Sequence, residues 1–247
     1  MYSESHCHLR DVTDESISKA MEAGIELIIT AGIDTASSER AVEVASKYEI
    51  LKSCVGIHPW YADEYNFENL SKLKKLAENE EVIAISEIGL DYIARRTRHW
   101  ERSDEVIDPN IQRKAFRGQI GLAKELDLPM LVHDRAHGEE LLDIIDDENV
   151  ADMGVAIHGF SKDTRFAKRA IKMGIYLSIG RSLLMGDNKE LEEAIIQTPI
   201  EWLLTETDSG DPTEVIKVSE KVAELKGITK EEVGIATTKN LKKLLRI

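Results

Sequence analysis

The chain has 247 residues, 42% of them hydrophobic, with 46 acidic and 32 basic side chains and a net charge of −14. That length is close to the roughly 250 residues of one barrel domain, and the composition is that of a folded globular protein. The acid excess excludes a broad phosphate-binding surface, but not a nucleic-acid substrate met through bound cations, whose charge would sit where the phosphate does.

The start, Met1-Tyr2-Ser3-Glu4-Ser5, has neither a basic segment nor an apolar signal core. The longest apolar runs, such as Ile25 to Ala31, fall well short of the ~18 residues that span a bilayer. A cytoplasmic protein with no membrane partner is expected. Cys7 and Cys54 are too few for a disulfide framework and read as free, buried thiols.

Along the chain, apolar runs alternate with amphipathic helical stretches, the pattern of a parallel sheet with crossover helices. Strands are expected at Tyr2 to His8, Ile25 to Ala31, Leu51 to Ile57, Val82 to Glu87, Met130 to His133, Val155 to His158, Ile175 to Ile179 and Trp202 to Glu206. The helices between them are Asp14 to Ala23, Ala36 to Tyr48, Phe67 to Asn79, Ile111 to Leu126, Glu139 to Asp147, Asp163 to Met173, Lys189 to Gln197 and Thr213 to Lys226. A further helix runs from Lys230 to the end, and Asp211-Pro212-Thr213-Glu214 is a helix start, a capping residue followed by proline. No linker divides the chain. A single TIM-type (β/α)8 barrel domain over residues 1–247 fits this pattern, and an open doubly wound sheet is the alternative.

Polar residues fall where the strands end. His6 and His8 close the first strand, His58 follows the third and Glu87 closes the fourth. His133 and His158 close the fifth and sixth, and the eighth runs into Asp208. In a barrel these ends ring one mouth, where barrel enzymes keep their active sites. A lone histidine there is usually structural; packing alone does not account for five histidines and two carboxylates at successive strand ends.

The residue types suit metal. His6 and His8, two apart on a strand, point the same way while Cys7 points the other. Imidazole with carboxylate suits borderline divalent cations. Six groups, His6, His8, Glu87, His133, His158 and Asp208, exceed the three protein ligands of one open catalytic zinc site. Two ions sharing a bridging carboxylate would use them all, and metals ~3.5–4 Å apart can clamp a phosphodiester and activate water. Glu87 is the natural bridge, and Asp208 can serve as ligand, as base for the attacking water, or as both. The expected cofactors are two divalent ions: zinc, manganese or magnesium.

At these residues the chain resembles the TatD family of metal-dependent deoxyribonucleases, within the amidohydrolase-like metallo-hydrolases. The resemblance runs nearly end to end. It is carried by Ser5-His6-Cys7-His8-Leu9, Val55-Gly56-Ile57-His58-Pro59 and Glu87-Ile88-Gly89-Leu90-Asp91-Tyr92, the last being the most specific. Gln112-Arg113-Lys114-Ala115-Phe116, Ala123-Lys124-Glu125-Leu126, Leu128-Pro129 and Val132-His133 follow. His158-Gly159-Phe160-Ser161, Glu206-Thr207-Asp208-Ser209 and Ala236-Thr237-Thr238-Lys239-Asn240 complete the set. The resemblance implies a barrel, one metal on His6, His8 and Asp208, the other on His133 and His158, and Glu87 bridging. It also implies hydrolysis of phosphodiester bonds in DNA, often from the 3′ end, so that single-stranded DNA or a nucleotide is the expected substrate.

Several positions depart from the family pattern. Glu4 stands where Asp is usual, Arg10 where an acidic residue is common, and Gly210 where Pro is usual. Gly159-Phe160-Ser161-Lys162 replaces Cys-Phe-Ser-Gly, and the stretch Ile93 to Pro109 is longer and more charged than in the family. These changes bear on the substrate, not on the metal ligands.

Two further residues are candidates for substrate binding. The resemblance suggests that His58 faces the substrate, a structural role being the alternative. Arg135, two after His133, can meet a phosphate or make a salt bridge at the rim. His137 is a poorer candidate. The run Arg95-Arg96-Thr97-Arg98-His99-Trp100-Glu101-Arg102 reads either as a grip on a nucleic-acid strand or as a solvated loop. The leading expectation is therefore a metal-dependent deoxyribonuclease. A hydrolase of an amide, ester or lactone bond is the second reading, since the same cage polarises carbonyls. A non-catalytic metal-binding scaffold is the third.

Overall fold

The computed structural model describes residues 1–10, 12–93, 106–186 and 188–247. Its eight parallel strands are β1 (Tyr2–Cys7), β2 (Ile25–Ala31), β3 (Leu51–Val55), β4 (Val82–Asp91), β5 (Met130–Arg135), β6 (Val155–His158), β7 (Tyr176–Ile179) and β8 (Leu203–Thr205), paired in that order. The helices are α1 (Asp14–Glu22), α2 (Thr35–Ala45), α3 (Phe67–Leu76), α4 (Pro109–Leu126), α5 (Glu140–Asp147), α6 (Thr164–Lys172), α7 (Lys189–Gln197), α8 (Val215–Lys226) and α9 (Lys230–Leu245). The strands form a nearly closed (β/α)8 barrel, and the open-sheet alternative is excluded by their order. No helix among the described residues is long and apolar enough to cross a membrane.

The helices start where local chemistry dictates. Thr13 and Ser16 form a reciprocal capping box at α1, Asp34 and Ser37 one at α2, and Thr229 and Glu232 one at α9. Pro109 follows the capping Asp108 at α4, where its missing N–H costs nothing. At Asp211-Pro212 the chain makes a 3-10 turn, Pro212–Glu214, and only then enters α8, two residues later than the sequence pattern suggests. A 3-10 segment over Pro59–Glu64, after β3, was not anticipated. Strand β4 runs on to Asp91, so Glu87 lies within it rather than at its end.

Alternation along the strands builds two apolar layers. Met130, Val132, Val155, Ile157 and Leu177 face the helices and pack with Phe116, Ile120, Leu141 and Ile145. Leu131, Ala156 and Leu204 face the other way and join Leu27, Ile29 and Ile83, with Leu241, Leu244 and Leu245 of α9. Continuing the same parity, Leu131 leads to His133, Ala156 to His158 and Leu204 to Glu206. The site therefore stands on the inner apolar layer. Cys7 turns outward into a separate cluster with Ile17, Ile25 and Ile28, as expected, and both cysteines are free and buried. Burial pushes both thiols well above their ordinary pKa.

Candidate metal centre

Strands β4 and β5 approach closely at the motif that follows Glu87. Gly89 pairs with His133, and a Cβ at Gly89 would collide with the carbonyl oxygen of His133. Gly89 also holds φ at +141°, a conformation that side chains other than glycine's rarely adopt. His133 in turn pairs with His158. His133 and His158 are thus delivered by laddered strands, and Glu87 stands beside them where the β4–β5 register is interrupted between Ile85 and Ile88.

The two oxygens of Glu87 face different partners. Its Oε2 lies 3.3 Å from His8 Nε2 and 3.6 Å from His6 Nε2. Its Oε1 lies 2.9 Å from His158 Nε2 and 3.5 Å from His133 Nδ1. One buried carboxylate therefore divides four imidazoles into two pairs. Asp208 Oδ1 is 3.1 Å from His8 Nε2, on the first pair's side. Its side chain is 41% exposed, against 4% for Glu87, so it faces the mouth.

Hydrogen bonds assign the ring nitrogens. His8 Nδ1 lies 3.0 Å from the carbonyl oxygen of Ala31, which can only accept, so Nδ1 carries a proton and Nε2 is the nitrogen turned to the carboxylates. His133 Nε2 is 2.9 Å from Asp91 Oδ2, which leaves Nδ1 facing the centre, 3.0 Å from His158 Nε2 and 3.5 Å from Glu87 Oε1. Asp91 is itself held by Gln112, whose side chain accepts from Asp91 N–H and donates to Asp91 carbonyl, both at 2.8 Å. His158 turns Nδ1 toward Glu206 Oε1 at 3.5 Å and Nε2 toward Glu87. His58 is the reverse case. Its Nδ1 accepts from Trp60 N–H at 3.0 Å, so Nε2 bears the proton, 3.7 Å from Glu87 Oε1. His58 thus presents an N–H to the centre while its other nitrogen is held by backbone.

The residues fit divalent cations. Glu87 Oε2 and both ring nitrogens of His6 are buried with no hydrogen-bond partner, an arrangement that costs about 1–3 kcal/mol per group unless something else binds them. His6, His8 and Glu87 can bring ligand atoms within 4.8 Å of one another, and so can Glu87, His133 and His158. A third such group, His58, Asp91 and His133, is already satisfied by the hydrogen bonds just described. Charge tells the same story. Burial disfavours charge on Glu87, but His158, His6, His58 and His8 hold its pKa well below the usual carboxylate range. Burial also opposes charge on His158, yet Glu87 and Glu206 push its pKa up to about 10. His8 is raised well above its ordinary value, against burial, by Glu87 and Asp208. The positive charge drawn in as protons is the charge a divalent ion would bring, displacing them. Burial and His133 hold His58 well below its ordinary pKa, and burial and His158 lower that of His6.

Arg135 is exposed at the rim, its Nη1 3.8 Å from Asp91 Oδ2 and its guanidinium carbon 6.0 Å from the centre of the Trp60 ring. His137 stands apart, its ring 5.8 Å from that of Tyr92. Lys162, placed where the family has glycine, donates to the carbonyl of Ala136 at 2.7 Å and lies 3.4 Å from Asp134 Oδ2, tying the loop after β6 to that after β5. The run from Arg95 to Arg102, with His99 and Trp100, lies outside the described residues. Reading the sequence assigned no role to Glu4, Asp91 or Glu206. Asp91 and Glu206 lie inside recognised motifs, but only contacts between strands reveal what they hold.

The profile of the family described as TatD related DNase matches residues 4–246. The metal-dependent hydrolase YabD of Bacillus subtilis strain 168 is 33% identical, with all of both chains covered. The human deoxyribonuclease TATDN3 is 27% identical over 98% of this chain and 93% of its own. The crystal structure of YJJV, a TatD homologue from Escherichia coli K12, superposes with a TM-score of 0.86 at 23% identity, covering 100% of this chain and 98% of that one.

Proposed function

The chain belongs to the TatD-related DNase family and is a metal-dependent hydrolase, and from that premise we propose that it hydrolyses phosphodiester bonds of DNA at a two-ion site. The whole chain, residues 1–247, acts as one catalytic domain. His6, His8 and Asp208 would hold one ion, His133 and His158 would hold the other, and Glu87 would be shared between them. The observation that carries this reading is the division of the imidazoles by Glu87, two facing each oxygen at 2.9–3.6 Å. The name of the human relative, a deoxyribonuclease, supports the substrate class.

Two bound divalent ions, zinc, manganese or magnesium, supply Lewis acidity to phosphate oxygens and lower the pKa of the attacking water. Asp208 suits the base. It is half-exposed at the mouth, and His8 holds its pKa below the usual range, so it is ionised and can accept a proton from a water that a bound ion would acidify. His58 directs an N–H into the site and can donate to a substrate oxygen as a neutral group. Arg135 offers the rim a planar pair of donors that matches a phosphate. Single-stranded DNA lying across the mouth would meet Arg135 and the Trp60 ring together.

The test uses purified protein loaded with magnesium, manganese or zinc, offered single-stranded DNA and a panel of amide, ester and lactone substrates. Nucleotide release is expected. Cleavage of an acyl substrate without release of nucleotides would overturn the DNA assignment.

A further inference from the structure

The barrel is paired by ladders from β1 through β8, but among the described residues no ladder joins β8 back to β1. Two backbone hydrogen bonds cross that seam near the mouth, Asp208 N–H to His6 carbonyl at 3.0 Å and His8 N–H to Ser209 carbonyl at 2.9 Å. Below them a side chain takes the place of the ladder. Glu4, with no exposed surface, accepts on one oxygen, Oε1, from His6 N–H at 3.0 Å and from Thr207 N–H at 2.9 Å. Ser5 Oγ donates to the Thr205 carbonyl at 3.0 Å on the same seam. The ladder between β1 and β2 is irregular between Glu4 and Cys7, so β1 leaves regular pairing where the clasp begins.

We propose that Glu4 is a positioning residue that clasps the β1–β8 seam through His6 N–H and Thr207 N–H, and so sets the spacing of His6 and His8 against Asp208. These three groups come from opposite lips of the seam, and Glu4 bonds to the backbone of the first and to the residue just before the last. A carboxylate replaces the carbonyl acceptors that a regular parallel pair would supply. A buried N–H left without an acceptor would favour local opening there. The expected loss of metal affinity rests on the two-ion reading; the expected change in backbone exchange does not.

The experiment compares wild type with Glu4→Met, of similar length but without the acceptor, and Glu4→Gln, which keeps one oxygen. Amide exchange is followed at His6 and Thr207, with Val132 as control, and zinc or manganese is titrated into each protein. In Glu4→Met, exchange at His6 and Thr207 should rise at least about tenfold with Val132 unchanged. One ion should bind about 10- to 100-fold more weakly while the other is unaffected. Glu4→Gln should restore both properties. Unchanged exchange in Glu4→Met, or loss in Glu4→Gln equal to that in Glu4→Met, overturns the clasp. If wild type binds only one ion, the two-ion reading falls, and exchange at His6 and Thr207 still decides the role of Glu4.

Discussion

The two halves of the candidate metal centre are built by different means. On the β4–β5–β6 side, His133 and His158 stand on neighbouring strands in register, and each turns its far nitrogen to a buried carboxylate, Asp91 or Glu206. On the β1–β8 side, His6, His8 and Asp208 face one another across a seam without a ladder, held by two backbone hydrogen bonds and the Glu4 carboxylate. The first half is preorganised by regular pairing, which resists displacement because moving one residue breaks a row of hydrogen bonds. The second depends on a few contacts that side-chain chemistry must provide. Among the described residues, the seam without a ladder lies between candidate ligands.

The largest expected effect abolishes the comparison altogether. Glu87→Ala removes the carboxylate shared by both halves, so both ions should bind more weakly and hydrolysis should fall to background, as read by metal stoichiometry and initial rate. Retention of either property at wild-type level would show that Glu87 does not bridge. A smaller effect separates the halves. Asp91→Ala removes the acceptor from His133 Nε2 and should weaken one ion by about 10- to 100-fold, leaving the other as in wild type. Equal weakening of both ions would mean that the halves are not independent. Paired with Glu4→Met, this variant asks whether the two changes weaken different ions.

The smallest effect lies behind the laddered half, on its outer helices. Glu148 pairs with Arg117 at 2.6 Å and Lys124 at 3.0 Å, and these cations hold its carboxyl below the ordinary pKa of 4.5. A lowered folded pKa contributes stability that is present above the unfolded value and lost as pH falls through the folded one. Glu148→Gln should therefore lower stability by no more than about 1 kcal/mol at neutral pH, with the difference from wild type shrinking below about pH 4.5. Denaturant melts at pH 7 and pH 3 measure it, and hydrolysis should not change. A difference that grew on acidification would contradict the ion-pair account.

Much of this molecule is legible in its sequence. Apolar runs located seven of the eight strands, with β2 and β6 matching end to end, because a strand buried on both faces leaves a run of apolar residues between turns, and the weakly apolar β1 was placed by its His-x-His motif. The ligand types were legible too, since few structural needs place His-x-His at a strand end and further histidines at others. Boundaries were less so. Strand β4 extends past Glu87 because its far end pairs with β5 through Asp91 and Arg135, a partner that local composition does not specify.

What the sequence by itself determined is the repeat of strand and helix and the parity of the candidate metal-binding side chains on each strand, both of which follow from local periodicity. Only the tertiary structure decided how those side chains divide. The two faces of Glu87, the acceptor that Asp91 gives His133 Nε2, and the bond from Glu4 to Thr207, 203 residues away, each depend on which strands become neighbours. Hydrogen-bond partners brought together by folding carry no signature in the order of the chain, so Glu4 reads in the sequence as a family departure and in the fold as a clasp.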